Sequence, residues 1–256
     1  MRIAVLFKEV PDTYGERELD LETGLAVRTG DNVTDEIVER AVEAALNIAE
    51  AAGGEVELLA MAPAGADANI RKGIAMGASD AHIVTDDALV GADFTMTAEV
   101  LAALVRRGGY DLVIAGNLSS DGAGGVVPAM VAEALDWPHL TNLTHVEVSG
   151  TTVTGTRASG TQTLELEAEL PAVISVTEAF PEARFPNFKG LMAAKKKELT
   201  TLTAADLGID PNDFTPARAI VVEANKRPAR ATGTKIYDDG TAAAQLADFL
   251  AANKFI

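Results

Sequence analysis

The segment from Asp111 to Pro138, DLVIAGNLSSDGAGGVVPAMVAEALDWP, joins a β-branched apolar run to a helical pattern through a loop of small residues. Such a junction suits a nucleotide phosphate. Leu112 to Ala115 reads as a buried parallel strand, Gly122, Gly124 and Gly125 allow backbone to approach a ligand closely, and Pro128 fits the first turn of the following helix. The free amides of that turn and the positive end of the helix dipole would then converge on one point. On these residues alone a plain strand-to-helix connector stays open as the alternative. The glycine spacing is neither the G-x-G-x-x-G of dinucleotide sites nor a P-loop, and no Lys follows the glycines. Dinucleotide redox chemistry and nucleoside triphosphate hydrolysis are therefore not indicated.

Little else in the chain could do chemistry, and no catalytic residue or metal site is expected. Zero cysteines exclude disulfides, thiolate metal ligands and Cys nucleophiles. His82, His139 and His145 fall in no ligand spacing and read as surface or packing residues. The formal net charge of −17 disfavours nucleic acid and anionic membrane surfaces, because its long-range field repels phosphate. Against that background Arg184, Lys189, Lys195, Lys196 and Lys197 form a basic cluster, ordinarily a solvated helix face. Hydrophobic content of 48% with 23% charged residues describes a globular chain, and no apolar run approaches the ~20 residues that span a bilayer. The apolar stretch in MRIAVLFKEVPD is too short for a signal peptide and reads as a first strand, so a cytoplasmic location is expected.

The elements that would position the glycine loop alternate along the first half. Strands are expected at Arg2 to Phe7, Glu55 to Met61, His82 to Thr85 and from Leu112, with a possible hairpin around Glu22 to Gly24. Helices are expected from Thr34, read as a cap, to the Gly53-Gly54 stop, then at Asp67 to Met76 and Asp93 to Arg107. This order predicts an α/β fold, a doubly wound, mostly parallel sheet covered on both faces. Beyond Trp137-Pro138, Leu143 to Val148, Thr151 to Arg157 and Gln162 to Leu170 read as an added antiparallel hairpin region, and Ala172 to Val176 as a further strand. Gly190 to Lys197 is a short basic helix candidate. Residues 1–223 then form one nucleotide-binding domain, and 224–256 an extended arm ending in a helix at Thr241 to Asn253. With Leu246, Phe249 and Leu250 on one face, that helix must pack back on its own domain or dock on another chain.

Several motifs together resemble the beta subunit of the electron transfer flavoprotein family. They are FKEVPD at Phe7 to Asp12, ERAVEAAL at Glu39 to Leu46, IRKGIAMGASDAH at Ile70 to His82, AGNLSSDGAGGVVPA at Ala115 to Ala129, LPAVISV at Leu170 to Val176 and ARFPNFKGLMAAKKK at Ala183 to Lys197. The resemblance is collinear over nearly the whole chain. It implies an adenine nucleotide alpha-hydrolase-like sheet in a heterodimer whose alpha subunit holds FAD, while this subunit buries AMP structurally and wraps its partner with the arm. Such a protein is an electron carrier subunit, not an enzyme. It accepts electrons from acyl-CoA and related dehydrogenases of fatty acid beta-oxidation and delivers them to a quinone oxidoreductase.

By the same resemblance the AMP contacts fall on Leu6, on Asp35, Glu36, Ile37 and Val38, on Met61, and on Gly116, Asn117, Leu118, Ser119, Ser120, Asp121, Gly122, Ala123, Gly124, Gly125, Val126 and Val127. The amides of Gly124 to Val127 would hold the phosphate, and Asp121 would bond loop amides as Asx residues do in turns. Thr13 or Tyr14, together with Ile37, lies where the family approaches the partner's flavin, and Lys8 lies near them. The segment Ala183 to Lys197 resembles the loop that docks partner dehydrogenases, with Phe188 as the apolar anchor and Lys189 as a steering charge. Read without the resemblance, Phe185 and Phe188 are core anchors of an irregular segment. Two alternatives stand beside the carrier reading. One is an electron-bifurcating member with the adenosine part of a second FAD in the AMP site, and the other a stress-type ATP-binding signalling domain.

Overall fold

The computed structural model describes residues 1–256. In chain order the elements are β1 (Arg2–Leu6), β2 (Glu9–Pro11), β3 (Asn32–Thr34), α1 (Glu36–Ala52), β4 (Glu55–Met61), α2 (Asp67–Met76), β5 (Asp80–Val84), α3 (Phe94–Gly108) and β6 (Leu112–Gly116). There follow α4 (Val127–Leu135), β7 (His139–Leu143), β8 (His145–Ser149), β9 (Thr152–Ser159), β10 (Gln162–Glu169), β11 (Ala172–Val176), α5 (Phe188–Lys196), β12 (Thr200–Leu202) and α6 (Ala242–Ala252).

Seven strands form one sheet in the order β12-β5-β4-β1-β6-β11-β7, with every neighbouring pair parallel. Successive side chains of a strand point to opposite faces, and here both faces are dry. Ile3 and Val5 of β1, Leu58 of β4 and Ile114 of β6 pack under α1 and α2, whereas Ala4, Leu6, Leu59 and Val113 pack under α3 and α4. That double burial is why β1 and β6 carry continuous apolar runs, Ile3 to Leu6 and Leu112 to Ala115. The β8–β9–β10 meander forms a separate antiparallel sheet at the β7 end. Its rim strand β10 turns Glu165, Glu167 and Glu169 to solvent.

Two local expectations are corrected. Asp35, not Thr34, caps α1: Thr34 is buried in β3, and the Asp35 carboxylate accepts the Ile37 amide at 3.0 Å. The run from Leu143 to Val148 is not one strand, because the chain leaves parallel β7 to begin antiparallel β8. The hairpin expected around Glu22 to Gly24 is present in minimal form, a turn closed by an antiparallel Leu19–Ala26 bridge with the Asp20 amide donating to the Leu25 carbonyl, while the longer ladder in this region is β2 with β3. The edge strand β12, three residues long, carries no periodicity to announce it.

Candidate functional site

The chain runs outward from β1 through β4 to β5 and returns on the other side of β1 as β6. Strand order reverses there, and in open α/β sheets the crevice beyond the strand ends at such a point is where ligands bind. A cleft of about 300 Å³ occupies that position, at the lower end of the roughly 300–1,000 Å³ common for ligand pockets. Leu6, Met61 and Ala115 bring it the carboxyl ends of β1, β4 and β6, Val38 comes from α1, and Phe94, Thr97 and Leu101 come from α3. The rest of the wall is Phe7, Lys8, Arg28 and Ala92, together with Gly116 to Ser119 and Gly124 to Pro128 from the loop into α4 and its first turn.

That loop is built to leave its amides free. Val126 at the start of α4 has no side-chain oxygen to cap the helix, and Pro128 removes one amide from the first turn. The amides of Gly124, Gly125, Val126 and Val127 donate to no protein acceptor. A Cβ at Gly124 would lie 2.3 Å from the Phe94 ring, so glycine is what lets the α3 aromatic close over the loop. Gly125 has a φ of +65°, in the left-handed region. Asn117 also lines the cleft, where its Nδ2 donates to Asn142 at 3.1 Å and its buried Oδ1 has no protein partner. Orphaned donors, a backbone cradle and one unpaired acceptor together suit a small phosphorylated ligand with both donors and acceptors.

Two carboxylates hold the loop in place. Asp35 accepts the Ser120 amide at 2.7 Å while capping α1, so one side chain joins the helix to the loop. Asp121 is gripped by Lys8 at 2.8 Å and Arg28 at 3.1 Å, and it also accepts the Gly122 amide at 2.6 Å. Burial opposes its ionisation, but the Lys8 and Ser119 hydrogen bonds and the Lys8 charge outweigh that and hold its pKa at about 2. Arg17 donates to the Ser120 carbonyl and ties down the segment carrying Thr13 and Tyr14, both exposed.

Of the residues singled out from the sequence, Leu6, Val38, Met61, Gly116, Asn117, Leu118, Ser119, Gly124, Gly125, Val126 and Val127 line the cleft together. Asp35, Glu36, Ile37, Ser120, Asp121, Gly122 and Ala123 do not. Asp35 and Asp121 brace the loop, Ile37 packs against Gly116, and Glu36 pairs with Arg40 on the helix surface. Sequence reasoning missed Arg28, Phe94, Thr97 and Leu101. Asp93 capping α3 was a usable signal for Phe94, since the first turn after a cap points toward the strand ends; nothing marked Arg28. A second cleft of about 390 Å³, walled by Leu25, Pro63, Leu89 and Val90, shares Lys8, Arg28, Met61 and Ala92 with the first.

Away from the cleft, Phe185 is 95% and Phe188 80% exposed, which overturns their reading as core anchors. Phe188 opens α5, which Asn187 caps by accepting the Gly190 amide at 2.8 Å. Lys189 beside it is exposed. No residue beyond Ala204 is buried, and α6 leaves Leu246 and Phe249 about half exposed, so it does not pack back on its own domain. The last hydrogen bonds from this tail to the α/β body are made by Arg218 to Glu99, at 2.8 and 2.7 Å, and by the Ala219 amide to Asp93 at 2.6 Å. No helix is long and apolar enough to cross a membrane.

Comparison with known proteins matches the sequence to a family. The family model described as electron transfer flavoprotein domain matches residues 23–207. The electron transfer flavoprotein subunit beta of Mycobacterium tuberculosis is 45% identical over 263 aligned positions, covering 99% of both chains. The subunit beta of Mycobacterium leprae is 46% identical over the same span. That of Thermoanaerobacterium thermosaccharolyticum is 35% identical over 216 positions, covering 84% of this chain and 83% of its own. A stress-type signalling domain is set aside by this end-to-end agreement, and the chain belongs to the electron transfer flavoprotein family, among its beta subunits.

Proposed function

We propose that this chain pairs with an alpha subunit that holds FAD, keeps AMP in the cleft at the β1/β6 switch point as a structural nucleotide, and docks acyl-CoA and related dehydrogenases through the Phe188 loop. Electrons would pass to a quinone oxidoreductase. The observation that carries the nucleotide reading is the set of four acceptor-less amides, Gly124 to Val127, at the mouth of an apolar cleft. FAD on the partner supplies the redox chemistry. This chain's residues bind and orient. The amides from Gly124 to Val127 take the phosphate oxygens, each helix-end interaction contributing roughly 0.3–1 kcal/mol. Leu6, Met61 and Val38 shield the base from water, and Asn117 Oδ1 offers an acceptor to a ligand donor. Lys8 and Arg28 are partly neutralised by Asp121 yet still line the cleft, so their charge favours an anion there. A nucleotide bound only by the folded form stabilises it by about 2.7 kcal/mol at a hundred times its Kd. The exposed arm and α6 supply the surface that wraps the alpha subunit, in a complex placed in the cytoplasm.

Cofactor analysis of the chain co-purified with its partner tests this directly. One FAD and one AMP per heterodimer is the expected result, and one FAD without AMP refutes the nucleotide assignment. A second reading, electron bifurcation with a second FAD, is favoured by one observation: the adjoining 390 Å³ cleft begins at the same Lys8 and Arg28, where the rest of a dinucleotide would extend. Two FAD and no AMP in the extract would establish that reading instead.

A further inference from the structure

The loop leading to Phe188 lacks the usual means of holding its own shape. Between Pro181 and Asn187 no backbone amide donates to a backbone carbonyl, so neither helix nor ladder fixes this stretch. Its path is set by a side chain. The Arg184 guanidinium donates to Glu43 from Nε at 2.8 Å and from Nη2 at 3.1 Å, to Asn47 at 2.9 Å, and to Glu50 from both Nη atoms. The Arg184 backbone amide adds a bond to the same Glu43 carboxylate at 3.0 Å. Glu43, Asn47 and Glu50 follow one another at helical spacing on α1, so one guanidinium spans two turns of a rigid helix. Glu43 is itself buried and cannot move aside.

The flanks of the loop are fastened separately. Arg40 of α1 donates to the Phe180 carbonyl before the loop, and Arg71 of α2 donates to the Ala194 and Lys197 carbonyls at the far end of α5. A Cβ on Gly190 would sit 2.3 Å from the Ala75 carbonyl oxygen, so α5 lies directly on the α2 backbone. Helix α5 therefore has a fixed seat. What Arg184 adds is the approach to its first turn, the turn that carries Phe188.

We propose that Arg184 is a positioning residue for dehydrogenase docking: by gripping Glu43, Asn47 and Glu50 it holds the 181–187 loop in one shape, so that Phe188 is presented already ordered. This rests on the reading of Phe188 as the docking anchor. An anchor on a loose loop must be ordered when the partner binds, and that cost appears as weaker binding, not as slower chemistry within the complex. Arginine suits this seat because its rigid planar fork spans three side chains at once, whereas a lysine ammonium is a compact point charge on a flexible stem.

The test is a double-mutant cycle on the heterodimer, with an acyl-CoA dehydrogenase as electron donor and the heterodimer as acceptor. Arg184→Ala is expected to raise KM for the heterodimer about tenfold while kcat changes less than twofold. Flavin reduction by dithionite, which needs no docking, should keep its rate. Phe188→Ala should raise KM by at least as much, and the double variant should be no worse than Phe188→Ala alone, since Arg184 acts through that side chain. An unchanged KM in Arg184→Ala, or additive effects of the two substitutions, overturns the proposal while leaving the docking loop intact. An unchanged KM in Phe188→Ala overturns the docking reading and the proposal with it. If Arg184→Ala does not yield folded heterodimer, Arg184→Lys goes through the same cycle with the same two outcomes.

Discussion

Asp121 is the side chain on which the two cations of the cleft converge, and its ionisation has a readable pH signature. Its pKa falls from an ordinary 3.8 to about 2 on folding, so the stability it contributes is present above pH 3.8 and lost as pH drops toward 2. The melting-point difference between wild type and Asp121→Asn should be constant from neutral pH down to about pH 4 and vanish near pH 2, as followed by thermal unfolding in a pH series. Gly124 makes a second residue-scale prediction. Gly124→Ala drives a methyl into the Phe94 ring, an overpacking of roughly 1–3 kcal/mol, and should release the nucleotide before it unfolds the domain. AMP content per purified heterodimer measures this, and full retention would contradict the assignment. The glycines were legible in the sequence because their spacing before a helix pattern is a local signal. Arg28 was not, since its partner Asp121 lies 93 residues away and only the folded chain brings them together.

At the scale of elements, α1 does more than cover the sheet. Its first turn is capped by Asp35, which also holds Ser120, and one flank carries the buried Glu43 with the exposed Asn47 and Glu50 that grip Arg184. Asp35→Ala should cost more than the ~0.5–2 kcal/mol of a lost cap, because the Ser120 amide loses its acceptor as well. Urea unfolding with and without excess AMP checks it, the expected result being a lower midpoint in both and a smaller upward shift on adding AMP. Helices α2 and α3 and strand β4 lay within a residue of where the apolar periodicity put them, as strong local patterns do. The misread stretch, Leu143 to Val148, spans the last residue of β7, a bend at Thr144 and the start of β8. The change of partner, from parallel β11 for β7 to antiparallel β9 for β8, divides it, and that depends on what packs alongside.

As a whole the chain is a finished α/β body with an unfinished surface. Everything after Ala204 lies outside the core, so removing residues 224–256 should leave the melting temperature within about 2 °C of the intact chain, as surface changes usually do. The same truncation should abolish co-purification with the alpha subunit, and retained pairing would relocate the interface. Composition loses core periodicity from Ala224, whereas burial ends earlier, at Ala204. What would cover the arm was not legible, since no surface of this chain buries it. The rim of the small antiparallel sheet has a consequence of its own. Strand β10 offers unpaired backbone groups to any neighbouring chain, but Glu165, Glu167 and Glu169 stand along it at alternate positions. Two such rims brought together would set like charges in rows, which disfavours self-templated stacking. A newly made copy can therefore wait in a crowded solution for the right companion without polymerising with its own kind.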